Sequence, residues 1–487
     1  MAFLPSLAER GYGLTPNPTR RIAINTVAPT AARVVDAGFA LVYLRVLGEA
    51  GTGAFQFLVV FTTYLDTLVD FGLNALVARE VPRAPGSDAA AFRGVGLLRL
   101  GLWLVGLPLV AAVYGPDREL ANLSTEAALA GWLFYLALLP TVLAKTASGL
   151  LWAHERLELT AGVSVLATLL KTGLGVVALF GGLGLLGLAS ASLITNVVSS
   201  TALLALLRMS VPEQPPHADL TPKASHWLGE AWPLFVNQLL QGLFFKVDAV
   251  LLPPLAGAAA AGAYAAAYKV SEGAGIVSSS FTLALFPRLS TTRDLASAYR
   301  LAVRLLLQTA FPLAAGIALL AEPIAGLVGG RAFLPDAAVA LAIVIWYLPL
   351  SYANGLTQYV LIAAGRQRWL TGAFVGAFLF NVAANLVLIP RYGFVGAAWV
   401  TVASEFVLLV PFRWAAERVA TGVSLLAEAR APILATALMA PVVWWLRDGV
   451  HPLAASLAGA VVYLTGLWSL GGIRQQHWQL LRSVLRG

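Results

Sequence analysis

Four ionisable residues stand where a membrane-spanning helix should carry none. The stretch from Asn237 to Ser290 reads NQLLQGLFFKVDAVLLPPLAGAAAAGAYAAAYKVSEGAGIVSSSFTLALFPRLS, and Lys246, Asp248, Lys269 and Glu272 lie inside its apolar segments. An ionisable side chain at bilayer depth costs about 2.5–3.5 kcal/mol on insertion scales, so it faces a partner or a water-filled cavity. Lys269 and Glu272 are three residues apart and share a helix face, whereas Lys246 and Asp248 are two apart and point away from each other. Lys246 and Asp248 therefore need partners on other helices.

The same test picks out Arg33, Arg45, Arg99, Lys145, Lys171 and Arg304 among the bases, and Asp36, Asp66, Asp70, Glu230 and Glu405 among the acids. Arg33 and Asp36 again share a face, and each such pair can neutralise itself or offer its cation to a ligand. Positive charge concentrated away from bulk water suits a diphosphate. Arg33, Lys246 and Lys269 are the leading candidates for that contact. Lys171 joins them, because it lies mid-span with no acid within one turn of its helix. Asn237 and Gln241 can hydrogen-bond sugar hydroxyls or hold helices together. Asp36, Asp248 and Glu272 are candidates for ion coupling, by depth alone. Lys145 and Arg304, near span ends, and Arg99, one turn into its span, are expected to snorkel. Asn381 and Asn385 are expected to pack. The histidines fall in loops or tails without metal-site spacing, and no GxxxxGK[ST] phosphate loop is present, so no metal, nucleotide or other cofactor is expected.

The elements that must position these charges are membrane helices. The chain is 59% hydrophobic and 11% charged with a mean hydropathy of +0.79, which excludes a soluble domain and predicts an all-α polytopic membrane protein. Cysteine is absent, so no disulfide framework exists. The net charge of +8 reads as basic loops on the cytoplasmic side, not as a nucleic-acid footprint. About fourteen apolar segments of spanning length recur. They divide into a cytoplasmic leader over 1–21, six helices over 22–207, a polar Pro-rich linker over 208–227, six more helices over 228–415, two helices over 416–471 and an amphipathic basic tail over 472–487. The leader lacks the apolar run of a signal peptide. The asymmetry of Lys and Arg between loops predicts a multi-pass protein of the cytoplasmic membrane with both termini cytoplasmic and short outer loops.

The two halves repeat. Asn25 precedes Asp36 by the spacing that separates Asn237 from Asp248, and after a three-residue contraction Gly48, Gly53, Phe55 and Arg79 match Gly257, Gly262, Tyr264 and Arg288. Both copies start on the same side, so the repeat is parallel, an architecture that places a transporter's substrate between its halves. The charges of the second copy, Lys246 and the Lys269–Glu272 pair, have no charged counterparts at the matched positions.

Three motifs resemble the polysaccharide and oligosaccharide flippases of the multidrug/oligosaccharidyl-lipid/polysaccharide (MOP) superfamily. They are YLRVLGEAGTGAFQF followed by LVDFGLNALVARE; WPLFVNQLL…KVDAVLL…AGAYAAAYKV…LFPRLS; and AAGRQRW…FNVAANLVLIPRYGFVGAAWVTVASE. The resemblance spans about residues 20–415. It implies two six-helix lobes in a V plus two C-terminal helices. The implied activity is transfer of an undecaprenyl-diphosphate-linked oligosaccharide from the inner to the outer leaflet. The implied partners are that lipid-linked substrate, membrane lipids, and polysaccharide polymerase and glycosyltransferases. A lipid II flippase differs only in headgroup, a multidrug or cation antiporter would favour a more anionic interior, and an integral-membrane polymerase or ligase would need a larger outer domain.

Overall fold

The computed structural model describes residues 18–84, 86–116, 123–211, 224–291 and 294–472, with the side chains of 18–34, 279–280, 282–291 and 367 excepted. The expected leader, the centre of the linker and the amphipathic tail lie largely outside the described residues. Among the described residues every regular element is helical. Hydrocarbon offers no water to unpaired backbone groups, and a helix satisfies them all internally.

In chain order the α-helices are α1 (Pro18–Asp70), α2 (Leu73–Glu80), α3 (Asp88–Tyr114), α4 (Thr125–Leu136), α5 (Leu138–Ala153), α6 (Leu157–Phe180), α7 (Gly184–Ser210) and α8 (Ala224–Ala256). They continue with α9 (Ala258–Thr291), α10 (Leu295–Leu319), α11 (Ala321–Gly329), α12 (Asp336–Val344), α13 (Tyr347–Ala363), α14 (Gln367–Glu417), α15 (Leu425–Leu446) and α16 (Pro452–Ser469). Among the described residues 10 helices are long and apolar enough to span a membrane, or up to 11 if the bent pair α12–α13 is one span. Two of the ten runs are 49 and 50 residues long. At about 1.5 Å per residue, each exceeds twice the ~30 Å hydrocarbon thickness. Both fold back: α1 breaks at Gly48 (φ 65°) and α14 at Gly393 (φ 56°), left-handed conformations that only glycine adopts without strain.

The duplicated hairpins are visible in the backbone. Gly48 turns α1 back on itself, and its counterpart Gly257 (φ 90°) turns α8 into α9. Beyond these turns Gly53 and Gly262 meet face to face. A Cβ on Gly53 would lie 1.9 Å from the Ala258 carbonyl oxygen, and one on Gly262 would lie 1.9 Å from that of Glu49. Lipid tails are as apolar as leucine, so helices associate in membranes largely through such close packing of small residues. The aromatic neighbours Phe39, Tyr43, Phe55 and Tyr264 fill the same continuous core.

At the opposite end the halves join along α2 and α8. Phe71 stacks on Phe235 with ring centroids 4.3 Å apart, and Arg79 pairs with Glu230 at 2.9 Å. Helices α15 and α16 pack on α10 through Ala315, Met439, Val443 and Tyr463, outside the contact between the halves. The large apolar side chains they leave exposed, among them Trp445 and Trp468, are those a lipid-facing surface requires.

The backbone contact at Gly53 leaves no space for a methyl group, so Gly53→Ala is expected to part the halves at the turn end. The chain has no cysteine, so a single Ala40→Cys, buried on the cavity wall of α1 behind that contact, reports on it. A membrane-impermeant maleimide should label Ala40→Cys faster when Gly53→Ala is also present. Equal rates would show that the contact does not hold the halves closed.

Candidate functional site

Between the two ends the halves enclose a cavity of about 700 Å³. One wall is α1 from Asp36 to Leu41, and the other is α9 from Lys269 to Ile276, with Val328 of α11 beside them. Gly38, Gly273 and Gly275 widen it, since a Cβ at any of them would meet no atom within 4 Å.

Four of the charges expected at the site, Lys246, Lys269, Glu272 and Asp36, stand at or beside it. Glu272 presents one carboxylate oxygen to each of two lysines: Oε1 lies 3.0 Å from Lys246 Nζ, and Oε2 lies 3.0 Å from Lys269 Nζ. Lys246 reaches across from α8, and this is the partner that its spacing from Asp248 required. Asp36 lies exposed on the facing wall. Lys171 on α6 is exposed and sits within electrostatic range of both Asp36 and Lys269. The Tyr43 hydroxyl lies in the field of Lys269, Asp36 and Glu272. The Arg33 side chain is outside the described residues.

The polar pair lies apart from this group. Asn237 is exposed and Gln241 half-buried, and the Gln241 amide donates to Asn237 Oδ1 at 3.2 Å. Both lie at least one turn along α8 from Lys246.

Asp248 occupies a different environment. It is 4% exposed and accepts hydrogen bonds from the Tyr264 hydroxyl, from Thr401 Oγ1 at 3.2 Å and from the Ala249 amide at 2.8 Å. It forms no ion pair among the described residues. Asn381 and Asn385 are buried on the other arm of α14 from Thr401; Asn385 donates to Asn381, which donates to Ser404 across the two arms. Glu405 is likewise buried and accepts from Asn354 at 2.7 Å.

One of the remaining bases departs from expectation, and two others have acidic partners. Arg99 does not snorkel: its side chain is fully buried, donating to Asp70 at 3.0 Å, Asn74 at 2.8 Å and Thr146 at 2.9 Å. Lys145 pairs with Asp66 at 2.9 Å, and Arg304 with Glu428 at 2.6 Å. Asp70 at the end of α1 and Asn74 at the start of α2 both accept from the Arg99 guanidinium, and Asp66, one turn earlier on α1, receives Lys145, so the guanidinium is satisfied inside the bundle. Arg45 donates to the Leu327 carbonyl, adding a link between the halves near the turn end.

A family model described as "Polysaccharide biosynthesis protein" matches residues 19–293, more than half of the chain. The chain belongs to this family. A second model, MatE, matches residues 233–387. A search of the curated proteins finds no match. Among solved structures, the lipid II flippase MurJ in an inward closed conformation superposes with a TM-score of 0.76 at 16% identity, covering 91% of this chain and 98% of MurJ. An inward-facing multidrug resistance MATE family transporter of the MOP superfamily gives 0.60 at 18%, covering 80% and 94%. A MOP superfamily transporter from Pyrococcus furiosus, whose binding pocket is described as having reversed polarity, gives 0.56 at 17%, covering 82% and 94%. The family and the fold together make the chain a multi-pass membrane protein of the MOP flippases and exporters.

Removing Arg99 would leave Asp70 buried without its main partner, an effect of about 3–5 kcal/mol for buried pairs. Arg99→Ala should lower the thermal unfolding temperature of the purified protein, and adding Asp70→Ala should restore part of the loss. Unfolding of Arg99→Ala at the wild-type temperature would show that the cluster is not a structural staple.

Proposed function

We propose that the chain is a flippase that carries a lipid-diphosphate-linked oligosaccharide from the inner to the outer leaflet of the cytoplasmic membrane, by alternating access, for cell-surface polysaccharide synthesis. The observation that carries this reading is the Lys246–Glu272–Lys269 cluster, whose Lys269 and Glu272 line a cavity between two repeated halves. Two ammonium groups sharing a single carboxylate keep a net positive charge at the cavity wall. An anionic headgroup is the guest such a space favours. Membership of the polysaccharide biosynthesis family supports an oligosaccharide cargo over a drug cation.

With the termini cytoplasmic, the Gly53–Gly262 contact closes the outer end. Moving about two negative charges outward across an inside-negative potential of roughly 100 mV is favourable by about 4–5 kcal/mol. A coupling ion fits Asp248 better than the other two candidates. A buried carboxylate served only by neutral donors takes up a proton or a small cation, because an isolated buried charge is costly. Glu272 has both oxygens committed to ammonium groups, and Asp36 stands open to the cavity.

Lys246→Ala and Lys269→Ala should each abolish surface polysaccharide in the native host while leaving membrane insertion intact. Wild-type polysaccharide in both variants would remove the cavity assignment.

Transport in proteoliposomes with imposed proton or sodium gradients should lose its gradient dependence in Asp248→Asn and keep it in Asp36→Asn. Unchanged dependence in Asp248→Asn would end its coupling role.

A further inference from the structure

The two lysines of the site are already bridged. The carboxylate of Glu272 gives one oxygen to Lys246 of α8 and the other to Lys269 of its own helix, both at 3.0 Å. A side chain that merely neutralised Lys269 would need one oxygen. Glu272 instead stands as a bridging phosphoryl group would stand, one anion accepting from two ammonium groups. The three side chains remain partly exposed, at 40%, 23% and 30% for Lys246, Lys269 and Glu272, so the bridge is accessible to a competitor.

We infer that Glu272 is an internal competitor that sets a charge threshold: a headgroup with one negative charge does not displace it, and a diphosphate does. This rests on the reading of the cavity as an anionic headgroup site. A tethered group acts at an effective concentration in roughly the millimolar range. A phosphodiester lipid carries the same single charge as Glu272, so it gains nothing by exchange and meets both the displaced carboxylate and Asp36 on the facing wall. A diphosphate brings further charge and oxygens, enough to hold Lys246 and Lys269 together and to draw on Lys171, which lies within electrostatic range of Lys269. The charged and titratable groups around the carboxylate are Lys246 from α8, Lys269 and Tyr268 on α9, Tyr43 from α1 and Tyr347 from α13, with Asp36 on the facing wall and Lys171 of α6 within range of Lys269.

The need for such a threshold follows from the solvent. Anionic phospholipids are abundant in the membrane around the protein. Two uncommitted lysines open to that membrane would be filled by them. Specificity then requires a feature that works against the wrong guest as well as one that favours the right one.

The test measures binding of farnesyl diphosphate to the full-length protein in nanodiscs, as phosphatidylglycerol progressively replaces phosphatidylcholine. Surface potential acts on all variants alike, so the readout is the difference between them. In discs without phosphatidylglycerol, Glu272→Gln should bind farnesyl diphosphate at least as tightly as wild type. With phosphatidylglycerol present, Glu272→Gln should lose about tenfold more affinity than wild type, as expected when a like-charge barrier is removed. Glu272→Asp, which keeps a carboxylate on the same wall, should lose less affinity than Glu272→Gln, and an equal loss in both would point to a packing defect and overturn the inference. Equal losses in wild type and Glu272→Gln would overturn the inference, as would weaker binding by Glu272→Gln in the phosphatidylglycerol-free discs. A separate arm protects the underlying reading: unchanged farnesyl diphosphate binding by Lys269→Ala would mean that the cavity is not the headgroup site, whatever Glu272 does.

Discussion

Two peptide backbones meet at Gly53 and Gly262, each glycine set against a carbonyl oxygen of the opposite hairpin. No side chain larger than hydrogen fits there, so this contact fixes how near the two halves can come. Because hydrocarbon supplies little hydrophobic drive between helices, such close packing carries much of the association. From that contact α1 and α9 run on with Gly38, Gly273 and Gly275 along their facing sides, and the gap opens into the cavity. The seam between α2 and α8 is filled instead by stacked aromatic rings and an ion pair. The two seams of one molecule are thus unequal: one is packed, and the other holds space and charge.

The same duplicated hairpin carries different chemistry in its two copies. Asp36 and Asp248 occupy matched positions, as do Phe55 and Tyr264. In the second copy the Tyr264 hydroxyl donates to Asp248, and Thr401 adds a second donor, so the carboxylate is drawn inward. In the first copy Phe55 has no hydroxyl to offer and packs edge-on against Tyr43, 5.0 Å away. Asp36 lies at the cavity wall instead. One oxygen atom, present in tyrosine and absent in phenylalanine, accompanies the difference between a buried carboxylate and a cavity-facing one.

Much of this was legible in the sequence, and the rest was not for a definable reason. Spans, the hairpin turns and the repeat follow from local patterns: apolar runs, glycine where φ must be positive, and matched spacing. The Lys269–Glu272 pair was legible because both residues sit on one helix three positions apart. The second partner of Glu272 was not, since Lys246 meets it across two helices whose rotation only packing decides. Arg99 failed for the same reason. Its depth suggested an extended side chain reaching the interface, while its partner Asp70 lies on a helix that sequence distance does not connect to it. A usable signal existed in Asp66 and Asp70, four residues apart on α1, which share a face that must meet other polar groups. Asp248 carried a similar signal in the change from Phe55 to Tyr264 at a repeated position.

The balance of charge around the cavity bears on how the proposed carrier of anions returns empty. Among the described residues Lys171, Lys246 and Lys269 stand against Asp36 and Glu272, three ammonium groups against two carboxylates, a net charge of +1. On the proposed reading a bound diphosphate makes that sum negative. An inside-negative potential then favours outward movement of the loaded site and inward movement of the empty one, so a single field serves both half-cycles. Lysine suits this exchange better than arginine would, because its ammonium is a point charge on a flexible stem and commits to no fixed bidentate geometry. Glu272 adds the complementary property. On the same proposed reading, by occupying the lysines between cargoes it limits the positive charge that the empty site must carry through the closed state, and it leaves the lysines available only to a guest that outbids a carboxylate.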